Sequence, residues 1–350
     1  MKKIRIAIIG VGNCAKSLAE GISYYTQNPN SKVGLIHPSL FGYSVADIEI
    51  VAAFDIDKRK VNKPLKEAAC AEPNRTLPLN DIIVGDAVVV RMGYVGDSTT
   101  KESGYFIQVS DEPTVDIKAE LKNKEVDIVL NYLPTGSDEA AFYYANEALE
   151  AGCSFINCMP TKLGRDDSWI KKFEDKGLVL LGDDIKSQLG ATVLNRSLLE
   201  LFKMRGLTIT QSDQTNYGGN ADHHNLHFRP HAKEASKESA LHSVVDEDDF
   251  KPVARMVYTE KNYDHKRASL FIVGNMFGGS QASVHVILDD EDSPNSGGMV
   301  VDAIRTAFYF ITNKRAFEAK EYCSSFMKAP FVYYSESDSY KKLQELNKDA

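Results

Sequence analysis

The sequence predicts an α/β protein with a doubly wound parallel sheet and a second unit of mixed α and β structure. Before about Gly190, short β-branched runs alternate with helical stretches, which is the rhythm of a parallel sheet covered by helices. After that point, strands follow one another without helices of the same rhythm, which is typical of an antiparallel sheet. The chain has 350 residues, enough for more than one domain.

The beginning of the chain is predicted to be a strand, a glycine turn, a helix and a second strand. Residues 4–9 form a β-branched run of the kind that is buried on both faces of a sheet. The helix is expected to run from the glycine turn at residues 10–15 to about Tyr25, and residues 48–55 form the second strand. The segment between them, residues 26–47, is long for a connection and is interpreted as a surface excursion.

The remaining elements follow the same reasoning. Strands are predicted at residues 126–131, 154–158 and 178–181, and helices at about 139–151, 167–176 and 191–202. In the second unit, strands are predicted at 207–210, 268–273 and 282–288, followed by a helix at 299–311 and a charged surface segment. The strands of the parallel sheet end at polar or glycine-rich turns, where such folds bind ligands.

Charge and cysteine content exclude several classes of protein. The net charge is −8, whereas nucleic-acid-binding domains usually carry a basic face, so we expect no nucleic-acid partner. The five cysteines are scattered and include no CxxC pair, which indicates neither a disulfide framework nor a zinc site and fits a reducing cytoplasm. No apolar run approaches the ~20 residues of a membrane span, so we expect no membrane association.

The glycine turn fits a dinucleotide-binding fingerprint. Gly10, Gly12 and Ala15 have the spacing G-x-G-x-x-A, in which small residues let the backbone approach a pyrophosphate at a helix N-terminus. Asp55 ends the second strand, where an acid binds the adenosine ribose and favours NAD over NADP. The motif is short, and the alternative is a glycine turn in a protein that binds no nucleotide.

A second unusual stretch is GDDIKSQLGAT, residues 182–192, which follows an apolar strand and leads into a helix. Free backbone amides at that helix start, together with the Ser187 hydroxyl, predict a phosphate-binding site. The alternative is a capped helix preceded by a solvated, charged turn.

This stretch resembles a signature of the myo-inositol-1-phosphate synthases, and other segments agree with it in order along nearly the whole chain. They are residues 10–15, 53–55, 219–222 (GNAD), 233–237 (KEASK), 292–296 (DSPNS) and 327–330 (MKAP). The resemblance is to the shorter, bacterial-type members. It implies a Rossmann-type NAD-binding domain at residues 1–190, an inserted α+β catalytic and oligomerisation domain at 191–298, a return to the first domain at 299–350, and a homotetramer.

The resemblance also implies an activity. Family members oxidise glucose 6-phosphate at carbon 5 with NAD, remove a proton from carbon 6, join carbons 1 and 6 by an intramolecular aldol reaction, and return the hydride. The product is an inositol phosphate, and the pathway is inositol and phospholipid biosynthesis. Some members respond to a monovalent or divalent cation, which is therefore a further candidate cofactor.

Site residues follow from the matched motifs. The catalytic residues implied are Lys233, Lys237, Lys266, Lys328, Asp222 and Asp292. The cofactor-binding residues implied are Gly10, Gly12, Asn13, Cys14, Ala15, Asp55, Tyr132, Leu133, Pro134 and Asp184. The substrate-binding residues implied are Ser187, Gln188, Asn216 and Asn220. Crowded lysines are expected to lower the pKa of at least one of them, while the others stay charged for phosphate and oxyanion.

Some of these residues have a simpler interpretation without the resemblance. Lys233 and Lys237, next to Glu234 and Glu238, have the pattern of a solvated helix face. His223 and His227 share a helical face and suggest a metal site, but no full ligand set accompanies them, so we predict no metal site. Gly218 stands where many relatives carry a larger apolar residue.

Two other functions remain open at this point. One is a net NAD-dependent dehydrogenase of a sugar or polyol phosphate, which would release NADH with product. The other is an NAD-sensing regulator, which would need a basic helix-turn-helix segment that this acidic chain does not show.

Overall fold

The computed structural model describes residues 2–82, 87–99, 107–228 and 252–349. Its first sheet has six parallel strands in the order β3-β2-β1-β4-β5-β6. The strands are β1 Ile4–Ile9, β2 Ile48–Asp55, β3 Val90–Met92, β4 Ile128–Asn131, β5 Ser154–Asn157 and β6 Leu180–Leu181. The strand order reverses between β1 and β4, so the sheet is doubly wound and the predicted fold class is confirmed.

Nine α-helices lie in the described ranges. They are α1 Asn13–Gln27, α2 Leu65–Ala68, α3 Ile117–Asn123, α4 Asp138–Ala151, α5 Asp167–Glu174, α6 Ala191–Met204, α7 Ala221–Phe228, α8 Asp292–Thr312 and α9 Glu336–Lys348. Short 3-10 helices occur at Val45–Asp47, Glu260–Asn262, Phe277–Gly279 and Ala316–Ser325. In the part of the chain covered by the structure, no helix is both long and apolar enough to cross a membrane.

Alternation along β1 builds two cores, one on each face of the first sheet. Ile6 and Ile8 belong to the core that includes residues of α1 and α8. Ala7 and Ile9 belong to the core that includes residues of α4. Since successive side chains of a strand point to opposite faces, this is the expected outcome of a strand buried on both sides. Because α8 lies in the first of these cores, the late part of the chain returns to the parallel sheet.

The second sheet has four strands in the order β10-β9-β7-β8. They are β7 Thr208–Gly218, β8 Val253–Tyr258, β9 His265–Asn275 and β10 Gln281–Glu291. The pairs β7/β9 and β9/β10 are antiparallel, as predicted, but β8 runs parallel to β7, so the sheet is mixed. One face packs on α6 through Leu199 and Phe202, which contact Ile209 and Ile272.

Several boundaries differ from the sequence-based ones. The strands β7, β9 and β10 are longer than the apolar runs from which they were predicted. Their polar residues alternate with apolar ones and lie on the uncovered face of the sheet, so the apolar runs covered only part of each strand. Helix α8 begins at Asp292 rather than Met299, since Pro294 falls in its first turn, where a missing N–H is tolerated. Strands β3 and β8 and helices α2, α3, α7 and α9 were not predicted.

Candidate active site

A large cleft lies at the carboxyl ends of β1, β2 and β4, where the strand order reverses. It encloses about 1510 Å³ of space, counting its open mouth. The predicted cofactor residues that line it are Gly10, Gly12, Asn13, Cys14, Asp55, Tyr132, Leu133, Pro134 and Asp184. Ala15 does not line the cleft; it is buried in the core beneath α1, where a small residue permits close packing of helix on sheet.

The two glycines of the fingerprint have different roles. Gly10 has φ +85°, and an added Cβ would lie 2.7 Å from the Tyr132 carbonyl oxygen, so only glycine fits there. An added Cβ on Gly12 would meet no atom within 4 Å, and Gly12 lines the cleft. Gly12 is also the N-cap of α1, whose start has no side-chain cap and no acid in its first turn. This end of α1 is therefore suited to an anion.

Asp55 is held at the end of β2 by backbone amides. Its Oδ2 accepts from the Val11 N–H at 2.8 Å, and its Oδ1 accepts from the amides of Ile56 and Asp57 at 2.7 and 2.8 Å. A carboxylate has about four acceptor positions, so capacity for a ribose hydroxyl remains.

Three further residues beside Asp55 line the cleft and were not predicted. The Lys60 ammonium donates to the Val11 carbonyl at 2.7 Å and to Asn74 Oδ1 at 3.0 Å. Asp57 lies next to them and accepts from the Arg59 side chain. Lys60 and Asn74 come from irregular chain after β2, where no periodic pattern singles them out. Asp57, two residues after Asp55, was the only one with a local signal.

Two groups in the cleft are held neutral. Burial raises the pKa of the Cys14 thiol to about 12, with Asp264 and Asp292 adding to the effect. Burial also raises the pKa of Tyr132 well above its ordinary value. The Tyr132 hydroxyl is buried without a hydrogen-bond partner among the described residues. Since Tyr132 lines the cleft, its unpartnered hydroxyl is a candidate donor for a polar cofactor.

A second pocket adjoins the cleft at the start of α6. Ser187, Asp292 and Lys328 line both cavities. The predicted residues Asn216 and Lys266 also line the pocket, together with Gly190, Ala191 and Thr192. An added Cβ on Gly190 would lie 2.8 Å from the Ser187 Cβ, so glycine allows this turn to close on itself. Because α6 begins there without a side-chain cap, its first backbone amides remain available as hydrogen-bond donors to an anion in the pocket.

Two of the predicted catalytic lysines, Lys266 and Lys328, lie within the described residues, and each contacts a carboxylate. The Lys328 ammonium is 2.9 Å from Asp184 Oδ1, and Asp184 is 2% exposed. The Lys266 ammonium donates to Asp292 and lies 3.7 Å from Asp290 Oδ1. Both pairs are largely buried, which fixes the direction of each ammonium toward the pocket.

Three other predicted residues, Asp222, Asn220 and Gln188, do not line the second pocket. Asp222 lines the cofactor cleft and accepts from the Thr135 hydroxyl at 3.0 Å. Asn220 lines the same cleft and donates to Asp264. The Gln188 amide donates to the Gly34 carbonyl at 2.9 Å, and its side chain does not line the pocket with Lys266 and Lys328. The assignment of Gln188 to the substrate stays a prediction; in this structure its side chain anchors the surface excursion.

Asp264 is the residue whose importance sequence reasoning missed. It is 1% exposed, and its Oδ1 accepts from Asn13, Asn220 and the Ser293 hydroxyl at 3.0, 3.0 and 2.9 Å. Burial and the nearby Asp292 raise its pKa. These contacts tie the glycine loop, α7 and α8 to one carboxylate. Only its place beside Lys266 in the DHKR stretch hinted at it.

The departure at Gly218 has a structural reason. An added Cβ there would lie 2.5 Å from atoms of the His223 ring. His223 is 2% exposed, lines the second pocket, and its backbone N–H donates to Asn220 Oδ1 at 3.0 Å. The His223 ring therefore occupies the space that a larger residue at 218 would fill.

Two predicted lysines, Lys233 and Lys237, lie outside the described residues. So does the side chain of His227, which had been considered with His223 for a metal. Within the residues that the structure covers, no group of three or more His, Cys, Asp and Glu side chains is arranged to hold a metal ion.

Comparison with known proteins gives consistent matches. A family model described as myo-inositol-1-phosphate synthase matches residues 190–293. Inositol-3-phosphate synthase from Mycolicibacterium smegmatis is 40% identical over 316 residues, covering 87% of each chain. The crystal structure of Ari2 is similar at a TM-score of 0.78 and 31% identity, covering 99% of each chain. Inositol-3-phosphate synthase from Caenorhabditis elegans shares the fold at a TM-score of 0.75 and 18% identity, covering 99% of this chain and 85% of that one.

Proposed function

The chain belongs to the myo-inositol-1-phosphate synthase family, and we propose that it converts glucose 6-phosphate to inositol 3-phosphate with NAD as its cofactor. One arrangement carries the proposal: Ser187, Asp292 and Lys328 line both the cofactor cleft and the pocket at the start of α6. A substrate in that pocket lies next to whatever occupies the cleft. Hydride transfer needs this adjacency.

The cleft residues fit a dinucleotide. Gly12 and the uncapped start of α1 suit the pyrophosphate, and the Asp55 carboxylate suits the adenosine ribose. The unpartnered Tyr132 hydroxyl supplies a further donor within the cleft. When bound, NAD supplies a hydride acceptor that is regenerated when the hydride returns to the substrate.

The second pocket fits a phosphate ester. Ser187 and the first residues of α6 supply neutral donors, and the Lys266 ammonium supplies charge. Asp292 and Asp290 orient Lys266, so its position is fixed before substrate binds. With the phosphate held there, the sugar carbons extend toward Lys328 and the cleft.

Lys328 is proposed to act on the oxygen of carbon 5. Oxidation removes a proton from that hydroxyl, and the later reduction restores it, so a fixed acid–base group is needed twice. As a neutral amine, Lys328 accepts the hydroxyl proton during oxidation; as an ammonium directed by Asp184, it stabilises the developing oxyanion during reduction and returns that proton. Lys233 and Lys237 stay predictions for the cationic groups of enolisation and ring closure.

The test of function is incubation of the enzyme with glucose 6-phosphate and NAD, followed by identification of the product. We expect an inositol phosphate and no net NADH, because oxidation and reduction occur on one bound substrate. NADH that accumulates in proportion to product would instead establish the net sugar-phosphate dehydrogenase.

We also propose that the enzyme assembles as a homotetramer through the uncovered face of the second sheet. This face carries Ile287 and Val257, which are 68% and 37% exposed, and Phe277 at the β9–β10 turn is fully exposed. Large exposed apolar side chains on one surface are typical of interfaces. Light scattering coupled to size-exclusion chromatography should give the mass of four chains. Ile287→Glu should give smaller species, whereas wild-type protein that elutes as a monomer would rule the interface out.

Two smaller expectations complete the proposal. All five cysteines are unpaired, which supports a reducing compartment, and we propose the cytoplasm. A response to a monovalent or divalent cation stays a prediction, and adding such ions to enzyme freed of metal by a chelator is its test.

A further inference from the structure

Lys186 lies inside the GDDIKSQLGAT stretch, and its ammonium donates hydrogen bonds to the C-terminal part of the chain. Its Nζ donates to the Ser324 carbonyl at 2.6 Å and to both carboxylate oxygens of Glu336 at 2.8 and 2.9 Å. An ammonium has three donors, and these contacts occupy all of them. Lys186 therefore has no donor left for a substrate phosphate, although it lines the pocket.

A second buried cation meets the same carboxylate from α6. Arg196 Nη1 donates to Glu336 Oε1 at 3.0 Å, and its Nη2 donates to the Tyr334 carbonyl at 2.9 Å. The Lys186 and Arg196 side chains are 1% and 2% exposed, whereas that of Glu336 is 23% exposed. Glu336 is the first residue of α9, where a negative charge is favoured by the helix dipole.

The two cations stand on either side of the phosphate-binding turn. Lys186 immediately precedes it, and Arg196 follows it on α6, so residues 187–192 are enclosed between them. One carboxylate from the C-terminal helix thus bridges both ends of the turn that contains Ser187 and Gly190.

We propose that Glu336 is a positioning residue for the substrate phosphate, which fixes residues 187–192 by holding Lys186 and Arg196. This inference rests on the proposed function, because it takes that turn as the phosphate site. Glu336 itself does not line the phosphate pocket and acts only through the two cations.

Electrostatics make the bridge hard to replace. Burial lowers the pKa of Lys186 to about 8, and the Glu336 carboxylate opposes that shift while Arg196 adds to it. Without the Glu336 carboxylate, the two buried cations would lose the one anion that contacts both of them and would repel each other, with only the Coulombic influence of nearby carboxylates such as Glu200 to offset their charge. The turn between them would then lose its fixed geometry, and phosphate affinity would fall.

The experiment compares Glu336→Gln with Glu345→Gln in the holoenzyme. Glu345 is an exposed residue of the same helix, so its variant removes one charge from α9 without touching the bridge. Inorganic phosphate binding is measured by calorimetry, and KM and kcat are measured for glucose 6-phosphate. For Glu336→Gln we expect the phosphate Kd and the KM to rise by roughly tenfold or more, with kcat nearly unchanged, since phosphate contacts act equally in ground and transition states. Glu345→Gln should match wild type.

A merely structural role for Glu336 would lower thermal stability and active fraction without changing phosphate affinity. Unchanged phosphate Kd and KM in folded Glu336→Gln would therefore overturn the proposal. If that variant does not fold, Glu336→Asp serves instead: it keeps the charge but is too short to span both cations, and we expect a weaker rise in both constants. The phosphate titration needs no turnover, so it tests Glu336 even if the wild-type product differs from inositol phosphate.

Discussion

The ammonium of Lys328 lies 2.9 Å from Asp184 Oδ1, although the two residues are 144 positions apart in the chain. The backbone explains how they meet. The Lys328 N–H donates to the Asp184 carbonyl at 2.7 Å, and Ile185 and Met327 form an antiparallel bridge. The C-terminal segment thus pairs with the segment after β6 and brings its lysine to the boundary between cleft and pocket.

Lys328→Met should abolish most activity while leaving the fold and NAD affinity intact. Methionine keeps the apolar stem but removes the charge, and loss of a positioned acid–base group costs about 10²- to 10⁴-fold in rate. Lys320→Met is the matched control, because Lys320 pairs with Glu174 away from the site at 3.1 Å. Steady-state turnover and NAD titration measure the two effects. A Lys328→Met enzyme that binds NAD normally and keeps more than about a tenth of wild-type turnover contradicts the role.

Asp55→Ala should weaken NAD binding and relax the preference against NADP. The carboxylate both supports the glycine loop through the Val11 amide and offers acceptors for the ribose. Titration of both cofactors with Asp55→Ala and with Glu49→Ala gives the comparison, since Glu49 is an exposed residue of the same strand that pairs with Arg5. Equal cofactor affinities in the Asp55 variant and wild type would exclude a ribose-binding role.

Local sequence signals were sufficient to predict some, but not all, of the residues that line the cofactor cleft. A buried strand, a glycine turn and a helix must lie in one order, and the acid at the end of β2 falls next to the turn in any parallel pairing with β1. Gly10 and Asp55 could therefore be predicted without knowledge of the tertiary structure.

Residues whose role depends on long-range contacts could not be found in this way. Asp264 is useful only because Asn13, Asn220 and Ser293 converge on it from three separate elements. Glu336 lies in a charged segment that looked like solvated surface, and only the packing of α9 gives it buried partners. Strand β8, which pairs in parallel with β7, was missed because its sequence, VARMVY, does not alternate between apolar and polar residues.

Thiol-alkylating reagents should not react with Cys14 in the cofactor cleft of the native enzyme. Burial raises the pKa of Cys14 to about 12, so at about pH 8 it carries almost no thiolate, which is the reactive form. Cys153, Cys158 and Cys323 are buried, whereas Cys70 is exposed. We expect iodoacetamide to modify Cys70 in the native enzyme without loss of activity, and peptide mapping by mass spectrometry measures this. Rapid alkylation of Cys14 with inactivation would show that its thiol is not held in the neutral form.

Gly218→Ala should destabilise the protein because its new Cβ would collide with the His223 ring. The ring cannot move away easily, since His223 is buried and its backbone is held by Asn220. Overpacking of this kind typically lowers the free energy of unfolding by about 1–3 kcal/mol. Gly21→Ala is the control, as an added Cβ on Gly21 in α1 meets no atom within 4 Å, and alanine favours a helix.

Removing the ring should reverse the effect of the Gly218 substitution. In the double variant Gly218→Ala/His223→Ala, the methyl group enters space that the imidazole has left, so denaturant unfolding should show a favourable coupling energy between the two sites. The changes in KM for glucose 6-phosphate should likewise show coupling between the two substitutions, because His223 lines the pocket with Lys266 and Lys328. Strictly additive changes in the free energy of unfolding would mean that the two residues do not compete for one space, and the explanation for glycine at 218 would then fail.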